Sequence, residues 1–158
     1  MREPRLVLPV LKMIDASYQR QRGKPLGSGF CPPPLEKAPQ EARLEWVHDQ
    51  APFMLLAQDV SADPVFIYTN ASASHHFGYT PEEFLSLPSR LSATAEGQED
   101  RNAAVNEVLT KGARIGYGGV RITKAGKLFR LRDGELFLLH DKDDARIGMG
   151  ALVWPTPY

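Results

Sequence analysis

The chain has 158 residues, of which 42% are hydrophobic and 24% are charged, and its formal net charge is +0. Such a composition is typical of a soluble protein whose core needs no disulfide or metal, and the balanced charge argues against a nucleic-acid partner. Cys31 is the only cysteine and no apolar run is long enough to span a bilayer, so we expect no disulfide, no membrane association and a cytoplasmic location.

Residues 1–50 predict an N-terminal helical arm. A first helix is expected over residues 9–20, where a proline suits the first turn and apolar side chains recur every four residues at Val10, Ile14 and Tyr18. Residues 23–34 are rich in glycine and proline and predict a linker or an ordered loop. A second helix is expected from Pro39 to His48.

Residues 51–158 predict an α+β domain. In chain order the predicted elements are strands at 53–58 and 65–69, helices at 71–77, 81–87 and 98–111, and strands at 113–123, 128–140 and 147–154. A two-stranded hairpin is only marginally stable alone, so the first two strands are expected to join the last three. The prediction is a five-stranded antiparallel sheet with helices covering one face. Asp133-Gly134 predicts a bend or bulge in the fourth strand.

Capping residues mark the helix boundaries of this domain. Asn70 and Thr80 are suitable N-caps, and Glu83 completes a capping box with Thr80. Gly78 and Gly112 follow the ends of two helices, where a left-handed residue is favoured. The core-facing side of the last helix is predicted from one apolar stripe, which consists of Ala104, Val105, Val108 and Leu109.

Several segments resemble a known family of domains. The segment from Asn70 to Phe84, with its Phe77-Gly78-Tyr79 and Glu82-Glu83 groups, resembles the best-known stretch of PAS domains. A closer resemblance is to the MEKHLA family of PAS-like domains, carried by Leu87-Pro88-Ser89-Arg90-Leu91-Ser92-Ala93, Tyr117-Gly118-Gly119-Val120-Arg121-Ile122 and Ile147-Gly148-Met149-Gly150-Ala151. The arm's Ile14-Asp15-Ala16-Ser17-Tyr18 also resembles the family's lead-in helix, so the similarity covers most of the chain.

The resemblance implies a PAS-like fold and a role in sensing, signalling or protein interaction rather than catalysis. Output is then expected through a homodimer or a protein partner. The apolar face of the first arm helix can pack on the domain or on a second subunit, and we expect docking through that helix and the outer sheet face. The sequence departs from the family at residues 135–139, where a tryptophan of the penultimate strand is usual and Glu135-Leu136-Phe137-Leu138-Leu139 stands instead.

Tyr117 and Arg121 are the first candidates for a ligand site. They lie four residues apart on one predicted strand, so both point to one face, either solvent or a cavity under the helices. Phe129 and Leu131 share a face of the next strand and are their expected neighbours. A buried arginine needs a partner, because an unpaired buried charge is too costly. That partner is an internal carboxylate, a backbone carbonyl, or a small polar or anionic ligand.

Ser89, Arg90 and Ser92, in the loop after the second domain helix, complete the predicted ligand-binding set of Ser89, Arg90, Ser92, Tyr117, Arg121 and Phe129. The competing role for Arg90 and Arg121 is to clamp loops by hydrogen bonds to carbonyls or carboxylates.

Flavin photoreceptors of the PAS type carry a cysteine in an Asn-Cys-Arg-Phe motif, and the corresponding stretch, residues 88–92, has none. Adjacent His75 and His76 suit an exposed position better than a haem or metal site, so no cofactor and no metal are expected.

A small enzyme is the alternative function. Cone-shaped α+β folds with a helix-lined cavity also host isomerases and dehydratases, which need an acid or base at the mouth of the pocket. Asp59 and Glu135 are the only strand carboxylates that suit this role in the sequence. No nucleophile elbow and no phosphate-binding glycine loop accompany them.

Overall fold

The computed structural model of the chain describes residues 4–158, and the side chains of all of these except residues 4–6, 95 and 96. Its elements are α1 (Pro4–Arg22), α2 (Pro33–Glu36), α3 (Gln40–Asp49), β1 (Met54–Asp59), β2 (Phe66–Thr69), α4 (Ala71–Phe77), α5 (Pro81–Phe84), a 3-10 turn (Ser89–Ser92), α6 (Ala95–Lys111), β3 (Ala113–Ile122), β4 (Leu128–His140) and β5 (Arg146–Pro157). The strands form one antiparallel sheet in the order β2-β1-β5-β4-β3. The predicted five-stranded α+β architecture is therefore confirmed.

The inner face of the sheet is covered by α4, α5, α6 and the 3-10 turn, as the sequence predicts. Its core consists of apolar side chains that alternate along the strands and meet the helices, among them Met54, Phe66, Phe77, Phe84, Ala104, Val108, Leu136, Leu138 and Val153. The predicted N-caps are present: Asn70 accepts from the Ala73 N–H, and Thr80 and Glu83 form a capping box. These local signals place the helices directly over the sheet.

The outer face of the sheet is covered by the arm. One stripe of α1, formed by Val7, Leu11, Ile14 and Tyr18, is fully buried against Leu44 and Val47 of α3 and against the outer side chains of β1 and β4. The ring of Tyr18 contacts that of Phe137 edge-on, with centroids 5.2 Å apart. The apolar face of α1 therefore packs on the domain of its own chain, and it covers the sheet face at which a partner was expected to dock.

A buried ion pair holds the arm together. Asp15 of α1 is fully buried and accepts hydrogen bonds from both terminal nitrogens of Arg43 on α3, at 3.3 and 2.9 Å. The same carboxylate accepts from the backbone N–H of Leu26 and from Gln40, so α1, the glycine- and proline-rich loop and α3 meet at one group. Arg43 also donates to the Leu26 carbonyl at 2.7 Å. Both carboxylate oxygens of Asp15 and both terminal nitrogens of Arg43 thereby have hydrogen-bond partners, as buried charges require.

A second polar contact joins the arm to the sheet. The hydroxyl of Tyr18 lies 3.0 Å from both carboxylate oxygens of Glu135 on β4, and Arg22 donates to the same carboxylate at 2.5 Å. Burial and the negative charge of Glu135 both raise the pKa of Tyr18, so its hydroxyl keeps its proton and acts as donor. Glu135, which the sequence offered as a candidate acid or base, therefore lies on the outer face of the sheet.

A bulge in β4 determines which face each of its residues occupies. Phe129 and Leu131 face inward, but after the register shift between Arg132 and Glu135 the inward positions are Leu136 and Leu138. Asp133 adopts a positive φ of 50°, which aspartate tolerates better than most residues. The bulge predicted at Asp133-Gly134 is therefore confirmed, and it turns Glu135 and Phe137 toward the arm.

Four predicted boundaries were wrong by three residues or more. Helix α6 begins at Ala95 rather than at residue 98, because Thr94 serves as its N-cap. Helix α1 begins at Pro4 rather than at Pro9, and it continues through Pro9 because its buried stripe extends on both sides of that residue. Helix α5 ends at Phe84 rather than at residue 87, because Ser86 takes a φ of 73° and the segment bonds to β2 through Phe66. Strand β5 continues to Pro157 rather than ending at residue 154. Its pairing with β1 ends at Val153, so beyond that point the strand can contain proline, which has no backbone N–H to donate to a neighbouring strand.

One predicted core residue is exposed. Leu109, the last member of the predicted stripe on α6, is 40% exposed, whereas Ala104 and Val108 are buried. The described residues contain no helix long and apolar enough to cross a membrane.

Breaking the Asp15–Arg43 pair is expected to destabilise the protein. Asp15→Asn leaves the Arg43 guanidinium buried without its counter-charge, and such losses cost about 3–5 kcal/mol in the free energy of unfolding. Lys12→Gln is the matched control, because Lys12 pairs with Glu41 between the same two helices at an exposed position and should matter little. Chemical denaturation measures both. Equal midpoints for Asp15→Asn and wild type would contradict the structure of the arm.

The same pair predicts a pH dependence. Burial alone would raise the pKa of Asp15, but the hydrogen bonds from Arg43, Gln40 and Leu26 outweigh it and hold the pKa below its ordinary value. Since the pKa is lower in the folded state, the stabilisation is complete above about pH 4 and is lost as pH falls below that value. Denaturation curves from pH 7 to pH 3 should show the difference between wild type and Asp15→Asn narrowing only at the acidic end.

The close approach of β1 and β5 predicts a steric effect at Gly148. A Cβ at this position would lie 2.1 Å from the Gln58 carbonyl oxygen on β1, which is backbone and cannot rotate away. Gly148→Ala is therefore expected to lower the free energy of unfolding by about 1–3 kcal/mol or more, the usual cost of overpacking. Urea denaturation is the measurement, and an unchanged midpoint would mean that the two strands pair differently.

Candidate functional site

A cavity of about 60 Å³ lies between the inner sheet face and α6. Most of its wall is apolar and is contributed by the sheet and by α4 and α6, including Leu56, Phe66, Phe77, Val105, Leu131, Leu136 and Val153. Its polar side chains are Gln58, Ser89, Ser92, Arg101, Tyr117 and Arg121. The cavity is therefore an apolar chamber with one group of polar residues, the usual composition of a small-molecule site.

Tyr117 and Arg121 meet above Gly119 on β3. The three residues alternate along the strand and face inward, and Tyr117 and Arg121 are only 2% and 8% exposed. Arg121 donates to the Tyr117 hydroxyl at 2.8 Å and to the Val120 carbonyl at 3.0 Å. A Cβ on Gly119 would lie 3.1 Å from the Tyr117 hydroxyl and 3.2 Å from an Arg121 nitrogen. Glycine therefore provides the space in which the two side chains meet.

Arg101 enters the cavity from the opposite side, on α6. It donates to Gln58 of β1 at 3.1 Å and to the hydroxyl of Ser89 in the 3-10 turn. Ser92 donates to the Ser89 carbonyl at 2.7 Å, which holds that turn in place. Burial and the positive charge of Arg121 lower the pKa of Arg101. Arg101, which is half-buried, and the buried Arg121 thus bring two like charges to the same cavity.

Neither guanidinium has a carboxylate partner among the side chains that the structure describes. Arg101 donates to the side-chain amides of Gln58 and Asn102 and to a hydroxyl, and Arg121 donates to a phenol and a carbonyl. The Asp63 carboxylate accepts a hydrogen bond from Arg90 at 3.1 Å. It affects the pKa of Arg101 only as a more distant negative charge. The site therefore carries two positive charges and a set of donors, which complements an anion.

Four of the six predicted site residues line this cavity: Ser89, Ser92, Tyr117 and Arg121. Arg90 does not, because its half-exposed side chain points away and pairs with Asp63. Phe129 pairs with Arg121 in the sheet register but packs its ring on Phe77, with centroids 5.0 Å apart, and belongs to the core beside the cavity. Its expected proximity to Arg121 is correct, but it is not among the lining residues.

Arg101 and Gln58 were not predicted from the sequence. A signal for Arg101 was available, because it lies three and four residues before Ala104 and Val105 and so continues the buried stripe of α6. A charge on a buried stripe is unusual and points to a polar site. Gln58 carried no such signal, because it stands near the end of β1 where polar residues are common.

The other candidate chemistry lies away from the cavity. Glu135 binds the arm, and Asp59 accepts from Ser61 and Val65 in a turn, where these hydrogen bonds lower the pKa of its carboxyl. His75 and His76 are exposed on α4, as expected. Cys31 is buried on the arm side, where burial and the charge of Glu36 raise the pKa of its thiol. Of the residues that the structure describes, those that line the cavity include no thiol and no carboxylate.

Solved structures with the same architecture are PAS and light-oxygen-voltage domains. A PAS domain of a protein from Colwellia psychrerythraea superposes with a TM-score of 0.63 at 13% identity, over 75% of this chain and 95% of that one. A light-oxygen-voltage domain studied with a flavin analogue gives a TM-score of 0.59 at 15% identity, over 77% and 87% of the two chains. An RNA-binding light-oxygen-voltage receptor gives 0.61 at 17% identity, over 85% of this chain and 36% of that one. At these identities the likeness establishes the fold alone.

The sequence itself places the chain in a family. No curated protein matches it. A family model, that of the MEKHLA domain, matches residues 9–155, which include α1 of the arm as well as the sheet and its helices. The arm is therefore part of what the family model describes, and this chain belongs to the MEKHLA family, with the fold of a PAS domain.

Proposed function

We propose that this chain is a sensory module that binds a small anion in the cavity under α6 and signals its occupancy to a protein partner or to a second copy. The observation that carries the proposal is the pair Arg101 and Arg121, two guanidiniums that face one cavity without a carboxylate among the described side chains. The PAS fold and the MEKHLA membership support a sensory or interaction role.

Electrostatics supports an anion at this point. Burying a charge is costly unless a counter-charge or a full set of hydrogen bonds compensates it. A guanidinium has five N–H donors, and among the described residues Arg121 donates to two partners, a phenol and its neighbour's carbonyl. An anion seated between Arg101 and Arg121 would accept from both and would relieve their mutual repulsion. Binding would then contribute to the stability of the folded state.

The competing role, in which arginines only clamp loops, describes Arg90 better than Arg101 or Arg121. Arg90 forms an exposed ion pair with Asp63 and so ties the 3-10 turn to the loop before β2. Catalysis in the same cavity lacks support of this kind, since Asp59 and Glu135 are both engaged elsewhere. We therefore propose a binding protein rather than an isomerase or a dehydratase.

Signalling is proposed to involve the arm. Helix α1 covers the outer face of the sheet, and the inner face of the same sheet lines the cavity. A movement of the strands would therefore alter the contacts of both the cavity and α1. Docking of a partner or a second copy on the apolar outer face would require α1 to leave it. Such a movement would break the contacts at Asp15 and Glu135, together with those of Ser17 with His140 and of Arg20 with Asp144.

Native mass spectrometry of the full chain, purified from its own source, tests the proposal. We expect a stoichiometric mass excess over the denatured chain, and we expect Arg101→Gln and Arg121→Gln to lose it while remaining folded by circular dichroism. Arg90→Gln is the matched control and should keep the excess, because Arg90 lies outside the cavity. A wild-type mass equal to that of the denatured chain would overturn the proposal. It would indicate that the residues around the cavity serve only as part of the core. The same spectra report the oligomeric state.

A further inference from the structure

We infer that the anion is a small monocarboxylate, with its carboxylate between Arg101 and Arg121 and a short apolar body against the inner wall. This inference rests on the proposed anion-binding function and names the chemical class of its ligand. It follows from the number and type of hydrogen bonds that the polar residues leave free, from the apolar remainder of the wall and from the size of the cavity.

The hydroxyls of Tyr117 and Ser89 present free donors to the cavity, beside the two guanidinium groups. The Tyr117 hydroxyl accepts from Arg121, so its own hydrogen is available to a ligand, and the Ser89 hydroxyl is placed in the same way by Arg101. The side-chain oxygen of Gln58 already accepts from Arg101. An ionised carboxylate has two oxygens that only accept, and guanidinium groups bind it in a planar, two-pronged geometry. A neutral alcohol or amine would supply donors that find fewer acceptors here.

The wall excludes a second charged group. Beyond the polar residues the cavity is lined by Leu56, Phe77, Val105, Leu136 and Val153, none of which can bond to a second carboxylate. An anionic group buried against such side chains would be strongly unfavourable. The cavity volume of about 60 Å³ is also well below the roughly 300–1,000 Å³ of sites for drug-sized ligands. A single carboxylate on a short hydrocarbon satisfies both limits.

Three four-carbon probes test the class: butyrate, its neutral analogue butyramide and the dianion succinate. Isothermal titration of the extensively dialysed full chain is expected to show butyrate binding. Butyramide should bind about 10- to 100-fold more weakly, because it lacks the negative charge that strengthens hydrogen bonds from the two guanidinium groups. Succinate should be weakened at least as much. Arg101→Gln and Arg121→Gln should reduce butyrate affinity by a similar factor, whereas Arg90→Gln should not.

The outcomes separate this inference from the proposed function. If succinate or inorganic phosphate binds more tightly than butyrate and needs Arg101 and Arg121, the site takes anions but the monocarboxylate class is wrong. The class is equally wrong if butyramide matches butyrate, or if no probe binds although the native protein carries an extra mass. If no probe binds and the native mass is bare, both the ligand class and the anion site fail.

Discussion

The buried contact between Asp15 and Arg43 is the interaction on which the burial of the outer sheet face depends. It fixes α1, α3 and the intervening loop to one another, so their apolar side chains form a single surface that fits the outer face of the sheet. Without that surface, Phe53, Phe137 and their neighbours on the outer face would be exposed to water. A buried ion pair adds little net stability, but removal of one partner leaves the other charge buried and unpaired. This packing therefore requires both residues of the pair.

The bulge in β4 separates the charges of the two faces. Because the register shifts at Asp133-Gly134, Glu135 turns outward to Tyr18 and Arg22, while Leu136 and Leu138 turn inward. An unshifted strand would reverse the faces of these residues and would bring a carboxylate to the inner face. Among the described side chains that line the inner cavity, those that carry a charge are therefore basic, which is the property on which the proposed anion site depends.

Local signals in the sequence predicted much of this fold, and contacts distant in sequence account for what they missed. The caps at Asn70 and Thr80, the bulge at Gly134 and the shared face of Tyr117 and Arg121 each depend on a few neighbouring residues. The end of α5 instead depends on pairing between residue 86 and β2, and the start of α1 on burial against a sheet more than 40 residues away. Arg90 and Arg101 could not be distinguished from sequence by their partners, because Asp63 and Gln58 come from remote segments.

The two arginines of the cavity are better explained by binding than by folding. A buried guanidinium that served stability would be expected beside a carboxylate, as Arg43 is beside Asp15. Arg101 and Arg121 instead face each other's charge, and aliphatic residues of similar volume at such positions are often neutral or stabilising. Groups that lower the stability of the empty protein are typical of functional sites, where a ligand supplies what the fold leaves unpaired. The energetic cost of placing these two positive charges together is therefore the strongest argument for the proposed anion site.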